Sequence, residues 1–573
     1  MNAFLSQTTE QKYINDLTSL LEKNDYLSAI PQVRSGIRSK PSWVEGYALL
    51  GRLLWQTGQH NEAADAFQDA IRLQPDNPEW QIQFLRCKMK LGEFEQTVPK
   101  ILNFVANHTD NSSLIIEGVS LLSEVSQHDV AVACLTWCLK KRPDDSVLCS
   151  TLAAELISSG RASEGSALFI DLMTRHPDTI GYTPIIVAAL GNIGEFDFAL
   201  RISEAYQESD LPKSSAFLNN IACALVALNR SEEAIPYCEA GLAIEPENED
   251  LRFGLAAALL KSGAFEKGWR QHELRPALLR RRESRPWRGE EDVHGKTLLL
   301  IGDQGLGDCI QFIRYIRFFK DTGTRLIVAV EAPLQRLFAN MAVWVEVCDI
   351  DERPEHDLSC PLLSLPFALM RFIGTTIPAE VPYLHPYPED LTRFSSLPDP
   401  GNKKRIGVVW SGAKRAQYGL FYRARSSSLK DFLPILEQKE AEFVNLQLGE
   451  PRDEIREAGL ATLIDPMDDV RDMADTAAII QSLDLIISVD TSVAHLAGAL
   501  GKPVWMLTRS DCCWRWLEDR DDTPWYPTMR IFRSEPGSLQ HAISLAAREL
   551  PHFLGTARLQ PSDHTYSKDE VLV

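Results

Sequence analysis

The chain has 573 residues, of which 45% are hydrophobic and 24% are charged, and its formal net charge is −20. This composition is typical of a globular protein, and the length predicts about two to four domains. The acidic balance argues against a general affinity for nucleic acid or anionic lipid. No run of eighteen apolar residues occurs, so no membrane span is expected.

The N-terminus and the cysteines favour a cytoplasmic protein. The first residues lack the basic start and apolar core of a secretory signal. Eleven cysteines are scattered along the chain without a C-x-x-C pair, which is typical of reduced thiols in the cytosol. No cluster of His and Cys has the spacing of metal ligands, so no metal site is expected.

The first half of the chain carries a repeat with a period of 34 residues. The prolines that mark it, with one inserted residue before the last two, are Pro41, Pro75, Pro143, Pro177, Pro212 and Pro246. Gly51 and Ala63 take the positions at which the two helices of a tetratricopeptide repeat approach closely. The turn after the first helix of each unit is marked by Gly58, Gly92, Gly160, Gly194 and Gly263. We therefore predict about seven or eight tetratricopeptide repeats, stacked as an all-α solenoid over residues 10–275.

A solenoid of this kind offers a concave groove that binds an extended peptide or a partner helix. Asn219 and Asn220 lie on the first helix of a predicted repeat. Asparagine side chains at such positions can hydrogen-bond a peptide backbone, so this pair is the predicted acceptor-peptide contact. The alternative is that the repeats only scaffold or dimerise the protein.

An arginine-rich stretch follows the repeats, with six arginines from Arg275 to Arg288. One interpretation is a patch that binds nucleic acid. The acidic character of the whole chain favours a solvated linker instead, which we place at residues 276–295. A cut near Arg280 is expected to leave two soluble pieces.

From Lys296 the pattern changes to strands alternating with helices, which predicts an α/β region. The strand Thr297–Ile301 is followed by the loop GDQGLGD and then by a helix from about Cys309. This first half is placed at residues 296–400. Its loop residues Gln304, Gly305 and Gly307 would let a substrate approach the backbone where the strand ends.

Two residues of this half have alternative interpretations. Asp308 is either a general base at the open edge of the sheet or an acid that compensates the helix dipole. Glu331 ends the second strand, where an acid can hold a ribose, so a nicotinamide cofactor is an alternative. The G-x-x-G-x-G spacing differs from the dinucleotide fingerprint and makes that cofactor a weak hypothesis.

A second α/β half is predicted at residues 401–555, followed by a disordered tail at 556–573. A basic loop after its first strand carries Lys414 and Arg425, which suit a diphosphate or carboxylate, although plain surface basicity is the alternative. Gln447 ends the next strand. Two Rossmann-like halves with facing strand ends create a cleft for a ligand.

The most informative segment is LIISVDTSVAHLAGALGKPVW, which predicts a strand, a polar turn, a small-residue helix and a second strand. The turn contains Asp490, Thr491 and Ser492, and His495 lies one turn into the helix. Free N–H groups and the helix dipole make this turn a predicted phosphate site. An ordinary helix cap is the alternative for the turn, and helix packing is the alternative for His495.

The C-terminal half, from about Lys296 to Phe553, resembles family 9 glycosyltransferases, the bacterial heptosyltransferase group with the GT-B fold. The motifs that carry the resemblance are LLLIGDQGLGDCIQFIRY, RIGVVWSG, VDTSVAHLAGALGKPVW and WRWLEDRDDTPWYPTMRIFR. Together with the repeats and the motif GWRQHELR, they resemble bacterial repeat-containing glycosyltransferases that modify flagellin or other proteins. More remotely, the architecture is similar to eukaryotic O-linked N-acetylglucosamine transferase.

The resemblance implies roles for individual residues. Asp308 matches the proposed general base, and Asp490, Thr491 and His495 match a turn that holds donor phosphates, with Ser492 inside it. Lys414 matches a phosphate-binding lysine, although its loop is longer and more basic than the common pattern, which places the kind of donor in doubt. No metal or cofactor is implied, because the nucleotide-sugar is a substrate.

These observations predict an α plus α/β protein that moves a sugar from a nucleotide-sugar to Ser or Thr hydroxyls of an acceptor protein held by the repeats. Flagellin is one candidate acceptor. One alternative is a transferase that acts on lipopolysaccharide or another glycan. A second is a repeat scaffold whose transferase domain is inactive. Neither nucleic acid nor a membrane is an expected partner.

Overall fold

The computed structural model describes residues 17–18, 20–21, 25–275, 287–342, 344–396, 401–412, 425–460, 462–536 and 538–555. They form two compact units that divide between Leu211 and Pro212. The predicted tail at 556–573, the first part of the predicted linker and Lys414 lie outside the described residues.

The first unit is built of helices only among its described residues. Its helices are α1 (Tyr26–Ser39), α2 (Val44–Gln56), α3 (His60–Leu73), α4 (Pro78–Lys90), α5 (Phe94–Asn107), α6 (Ser112–Ser123), α7 (His128–Leu139), α8 (Ser146–Ser158), α9 (Ala162–Arg175), α10 (Thr183–Ile193) and α11 (Phe196–Glu208). Consecutive helices pack on one another, except that α10 packs on α8 rather than on α9, and this pattern is the one that the predicted solenoid requires. A Cβ added at Gly51 would lie 2.8 Å from the Phe67 ring, so the predicted close approach of the two helices is present.

The turns between helices keep the period of the sequence. All five predicted turn glycines have positive φ angles, from 78° at Gly58 to 88° at Gly194. Two of the corresponding turn positions hold no glycine. At these positions Ser126 and Asn229 take the same left-handed conformation, with φ angles of 59° and 58°. The left-handed turn therefore recurs in the backbone even in repeats whose sequence has no glycine at that position.

The second unit begins with four more helices of the repeat region and continues with two parallel sheets. The four helices are α12 (Ser215–Ala227), α13 (Ser231–Ile244), α14 (Glu249–Lys261) and α15 (Phe265–His272). The predicted fold class, a helical solenoid followed by an α/β region, is confirmed.

The first sheet has the strand order β3-β2-β1-β4, and all its neighbours are parallel. Its elements are β1 (Thr297–Ile301), α16 (Leu306–Phe312), β2 (Arg325–Val330), α17 (Ala332–Ala339), β3 (Val345–Asp349), β4 (Leu358–Pro361), α18 (Leu365–Ile373) and α19 (Pro388–Arg393). The predicted strand at Thr297–Ile301 has the observed bounds. The buried strands β1 and β4 lie side by side, so the loop after β1 opens at the carboxyl edge of the sheet.

The second sheet has five parallel strands in the order β6-β5-β7-β8-β9. Its elements are β5 (Lys404–Val409), α20 (Leu433–Leu436), β6 (Ala441–Asn445), α21 (Asp453–Ala458), α22 (Met473–Gln481), β7 (Leu485–Val489), α23 (Ser492–Ala499), β8 (Val504–Arg509), β9 (Met529–Ser534) and α24 (Gln540–Leu554). All five β7 residues are buried, which explains why four of the five are apolar, and the fourth residue, Ser488, is buried as well. The polar turn predicted after this strand follows it directly.

The last repeat helices share a core with the sheets. Trp269 of α15 is 2% exposed and belongs to the same hydrophobic cluster as residues of both sheets. Arg275 is equally buried, and its guanidinium donates to Asp303 Oδ2 at 2.9 Å. In the described part of the linker, Trp287 is buried and donates its backbone N–H to Ser359 O. These contacts argue against the expected separation at Arg280, because a cut there would divide one core.

None of the helices in the described ranges is long and apolar enough to cross a membrane.

Candidate functional site

The glycine-containing loop after β1 places Asp308 at the start of a helix. Gln304 has a φ angle of 67°, a left-handed conformation that turns the chain sharply. The Asp308 Oδ2 atom accepts from the Gly305 backbone N–H at 2.9 Å. This bond closes the loop, so α16 begins at Leu306, three residues earlier than predicted. The Asp308 side chain remains 20% exposed and can reach a ligand.

Arg515 holds the other side of the Asp308 carboxylate. The Arg515 Nη2 atom donates to Asp308 Oδ1. Its Nε atom donates to Gln311 Oε1 at 2.7 Å, and its Nη1 atom contacts Cys513 Sγ at 2.8 Å. Its guanidinium also lies 4.3 Å from the centroid of the Trp514 ring. Our sequence reasoning gave Arg515 no role, although it lies in the motif WRWLEDRDDTPWYPTMRIFR, because its partner Asp308 is 207 residues away in sequence.

The N-terminus of α23 presents an uncapped start. Thr491 is the cap residue, but no side chain in the described part of the protein caps the helix, and the Thr491 hydroxyl lies 3.0 Å from Ser488 Oγ instead. The first amides of a helix have no intrahelical acceptor. Thr491 and Ser492 are both half-buried, so neither is sealed in the core. Amides at the start of a helix are suited to an anion, and the phosphate site at this turn stays a prediction.

Gly307 brings the two predicted motifs into contact. A Cβ placed on it would lie 2.8 Å from His495 Cδ2 and 3.4 Å from Ser492 Cα. The start of α16 therefore packs against the start of α23, and this contact needs a residue without a side chain. Asp308, next to Gly307, consequently lies beside the turn that contains Thr491 and Ser492. A candidate base and a candidate phosphate site are thus part of one site.

His495 is buried between aromatic residues. Its Nδ1 atom lies 2.8 Å from the Tyr526 hydroxyl, and its ring centroid is 5.2 Å from that of Trp516. Burial, followed by the charge of Arg515, lowers the pKa of His495 to about 3, so the imidazole is neutral at physiological pH. Its Nε2 atom lies 4.0 Å from Asp490 Oδ1. The geometry favours the packing alternative for His495, and its phosphate contact remains a prediction.

Gly412 leaves space beside the phosphate turn. Its Cβ position would be 3.6 Å from Arg425 Nε, 3.7 Å from Asp490 O and 3.8 Å from Thr491 Cγ2. Arg425 therefore lies next to the predicted anion site, as the basic loop suggested. Lys414, in the same loop, lies outside the described residues.

Gln447 supports the loop after β5. Its Oε1 atom accepts from the Ser411 N–H at 2.9 Å, and its Nε2 atom donates to Leu448 O at 2.9 Å. Both ends of the amide therefore contact backbone groups, and Gln447 is 4% exposed. The geometry indicates that Gln447 fixes the position of Ser411, and a donor contact is an untested prediction.

The dinucleotide alternative has little space in this structure. Glu331 lines a cavity of about 30 Å³ together with Gly302, Gln304 and Gly305. A cavity of this size holds about one water molecule rather than a ribose.

The predicted peptide contact lies on α12. The Asn219 Oδ1 atom is buried, has no hydrogen-bond partner among the described residues, and lies 3.7 Å from the Cβ position of Gly254. This oxygen is turned towards α14 and away from solvent. Asn220 is half-buried. A role for the pair in peptide binding remains a prediction.

Comparisons with known proteins identify the repeats. Tetratricopeptide repeat models match residues 17–78 and 225–268. Protein FlbA of Caulobacter vibrioides is 29% identical over 435 residues, which are 69% of this chain and 70% of that protein. A solved tetratricopeptide repeat protein from Parabacteroides merdae is 16% identical with a TM-score of 0.32, over 44% of this chain and 98% of its own. A second solved tetratricopeptide repeat protein, from Thermus thermophilus, is 17% identical with a TM-score of 0.26. The match covers 38% of this chain and 99% of that protein. The helical region contains tetratricopeptide repeats, a type of scaffold that suggests protein partners.

Proposed function

We propose that the protein is a glycosyltransferase of the GT-B, family 9 type that moves a sugar from a nucleotide-sugar to Ser or Thr hydroxyls of an acceptor protein. The observation that carries the proposal is the contact of Gly307 with Ser492 and His495. It joins a carboxylate from one parallel sheet to an uncapped helix start from the other. The family resemblance of the same motifs supports this interpretation.

The donor phosphates would bind at the start of α23. The backbone N–H groups that follow Thr491 carry the positive end of the helix dipole, and the guanidinium of Arg425 adds charge beside Gly412. As the bond between the sugar C1 and the phosphate oxygen breaks, the leaving nucleoside phosphate takes the electron pair. Donors already in place stabilise this charge without reorganisation.

Asp308 would take the proton from the acceptor hydroxyl. The hydroxyl oxygen forms the new bond to C1 while its proton moves to the carboxylate. Among the residues that the structure describes, each carboxylate oxygen has one protein donor, Gly305 N–H or Arg515, and keeps a lone pair for the proton. No metal or cofactor enters this scheme.

The tetratricopeptide repeats would hold the acceptor protein in the cytoplasm, and flagellin is one candidate. Tethering the acceptor raises its effective concentration at the cleft. The competing proposals are a transferase that acts on a glycan, with the repeats serving assembly, and a scaffold that binds a nucleotide without turnover.

A melting-temperature screen with UDP, GDP, ADP, CMP and dTDP tests the donor site. A nucleotide that binds only the native state at about one hundred times its dissociation constant adds about 2.7 kcal/mol of stability. We expect at least one of these nucleotides to raise the melting temperature of the wild-type protein. Thr491→Ala combined with Ser492→Ala keeps the backbone N–H groups and removes the two hydroxyls at the helix start. It should reduce the shift, because each hydrogen bond that a hydroxyl donates to the charged phosphate is worth about 1.5–3 kcal/mol.

The control is Ser544→Ala, which removes a hydroxyl that bonds within α24. It should keep the full nucleotide shift. A wild-type protein that no nucleotide stabilises would contradict the proposed donor site. Binding without transfer from any nucleotide-sugar would favour the scaffold.

A further inference from the structure

The segment after β8, residues 510–519, is fastened to the last repeat helices. Lys261 ends α14 and is 1% exposed. Its Nζ atom donates to Val226 O in α12 and to Ser510 O at the start of the segment, both at 2.7 Å. Burying an ammonium is costly unless its donors are satisfied. Lys261 is thus a buried link between two repeat helices and this segment.

The other end of the segment caps a repeat helix. The Glu518 carboxylate accepts from the Ser231 N–H at 3.2 Å and from the Ser231 hydroxyl, at the first residue of α13. A carboxylate at a helix N-terminus is favoured by the helix dipole. The residues on either side, Leu517 and Asp519, have φ angles of 53° and 48°. A left-handed leucine is costly unless its surroundings stabilise it, and the contact of Glu518 with Ser231 is one of the contacts that hold this turn.

Between these two anchors lies the arginine that holds Asp308. The Trp514 ring packs against Trp269 of α15, with centroids 5.4 Å apart. The next residue, Arg515, is 7% exposed and pairs with Asp308 and Gln311 of α16. A continuous set of contacts therefore runs from the repeat helices, through the segment, to the candidate base.

We propose that Arg515 is a positioning residue for Asp308, and that the last four repeat helices hold Arg515 in place through Lys261 and Glu518. This rests on the proposed function, in which Asp308 receives the acceptor proton. The last repeats are then part of the catalytic unit as well as a module for partners. Arg515 fixes the direction of the carboxylate, and misplacing a reacting group by about 1 Å can reduce a rate a hundredfold.

Hydrogen–deuterium exchange of the full-length protein tests whether these contacts connect the repeat helices to Asp308. In Arg515→Ala the amides of residues 304–312 should exchange faster, because Asp308 loses the guanidinium that donates to its Oδ1 atom. In Glu518→Ala the amides of residues 510–519 and of residues 304–312 should both exchange faster. Arg520→Ala is the matched control, because the ion pair of Arg520 within the described residues is with its neighbour Asp522, and the change should leave residues 304–312 unchanged. Unchanged exchange of residues 304–312 in both Arg515→Ala and Glu518→Ala would overturn the proposal.

Transfer kinetics give the second readout. Arg515→Ala should lower kcat about a hundredfold while the dissociation constant of the nucleotide changes less than about threefold. Added guanidinium should restore part of the kcat that Arg515→Ala loses. Arg515→Lys should have a kcat between those of the wild type and Arg515→Ala, and it replaces the alanine variant in the test if that variant does not fold. Wild-type kcat in Arg515→Ala would overturn the proposal. If the wild type itself transfers no sugar, the proposed function fails, and the exchange experiment alone decides the structural claim.

Discussion

At the scale of single residues, Asp308 is held from two directions. The Gly305 N–H fixes Oδ2 from within its own loop, and Arg515 fixes Oδ1 from another part of the chain. A carboxylate held in this way presents its remaining lone pairs in a fixed direction, which a proton acceptor needs. Its action as a base is therefore testable by a change that keeps its shape.

Asp308→Asn keeps the shape of the side chain and removes the basic carboxylate. We expect transfer to fall about a hundredfold or more, with nucleotide affinity nearly unchanged. Asp522→Asn is the matched control, because Asp522 also pairs with an arginine, Arg520, but is exposed. Full activity in Asp308→Asn would remove Asp308 from the mechanism, whereas a loss of nucleotide affinity would move it to the donor site.

The neutral state of His495 gives a prediction about pH. Burial lowers the pKa of His495 in the folded protein from the ordinary 6.5 to about 3. Between these values the unfolded chain binds a proton that the folded protein excludes, so stability is lost as the pH falls below about 6.5. Between pH 6.5 and 5 this single group should cost about 2 kcal/mol.

Urea unfolding of the wild type and of His495→Asn at pH 7 and pH 5 measures this cost. The stability difference between the two proteins should shift by about 2 kcal/mol in favour of the variant at pH 5. Burial also lowers the pKa of His272. Because His272 is present in both proteins, its contribution to the pH dependence cancels in the stability difference. A difference independent of pH would mean that His495 has the same pKa in the folded protein as in the unfolded chain.

At the scale of elements, the site is the meeting of two short helices, α16 and α23. Gly307 permits that contact, because any side chain would meet His495 at 2.8 Å. The helices follow β1 and β7, which belong to different sheets. Their contact therefore sets the distance between the two halves of the site.

Gly307→Ala should push the two helices apart. Overpacking of this kind typically costs about 1–3 kcal/mol, and we expect a lower melting temperature together with weaker transfer. Gly254→Ala is the matched control in the same compact unit, because its nearest neighbours lie at 3.7 Å and it is within α14. That control should be neutral or slightly stabilising. Equal melting temperatures for the two variants would show that the helices separate without cost.

Several of these elements could be predicted from sequence. The repeat period, the strand Leu485–Val489 and the turn after it follow from hydrophobic pattern and turn residues alone. The bond from Gly305 to Asp308 shifted the start of α16, because a side-chain cap decides where a helix begins. Arg515, Lys261 and Glu518 could not be predicted, because their partners are distant in sequence and no periodicity marks such a pair.

At the scale of the whole molecule, the compact units do not follow the change from helices to strands. Helices α12–α15 belong with the sheets, because Trp269 and Arg275 are buried among them. Removing one partner of a buried ion pair such as Arg275–Asp303 costs about 3–5 kcal/mol, and losing a buried tryptophan costs a similar amount. Typical domains are stable by only about 5–15 kcal/mol.

Fragments with different starting points test this division. A fragment of residues 212–573 should be soluble, melt cooperatively and bind nucleotide. A fragment of residues 287–573 should aggregate or melt at a much lower temperature, since it lacks Trp269 and Arg275. Circular dichroism melts of the two fragments measure the difference. Equal stability of both fragments would show that the repeat helices contribute nothing to the α/β region.

The central claim is that the site at Asp308 and Thr491 transfers a sugar to protein. The most direct test incubates the protein with radiolabelled nucleotide-sugars and an extract of cells that lack its gene. We expect the wild-type protein to label one or a few proteins, and mild alkali should release this label, as it releases Ser- or Thr-linked sugars. Asp308→Asn should give no label. Label found only in glycan or lipid, or equal labelling by the wild type and Asp308→Asn, would contradict it.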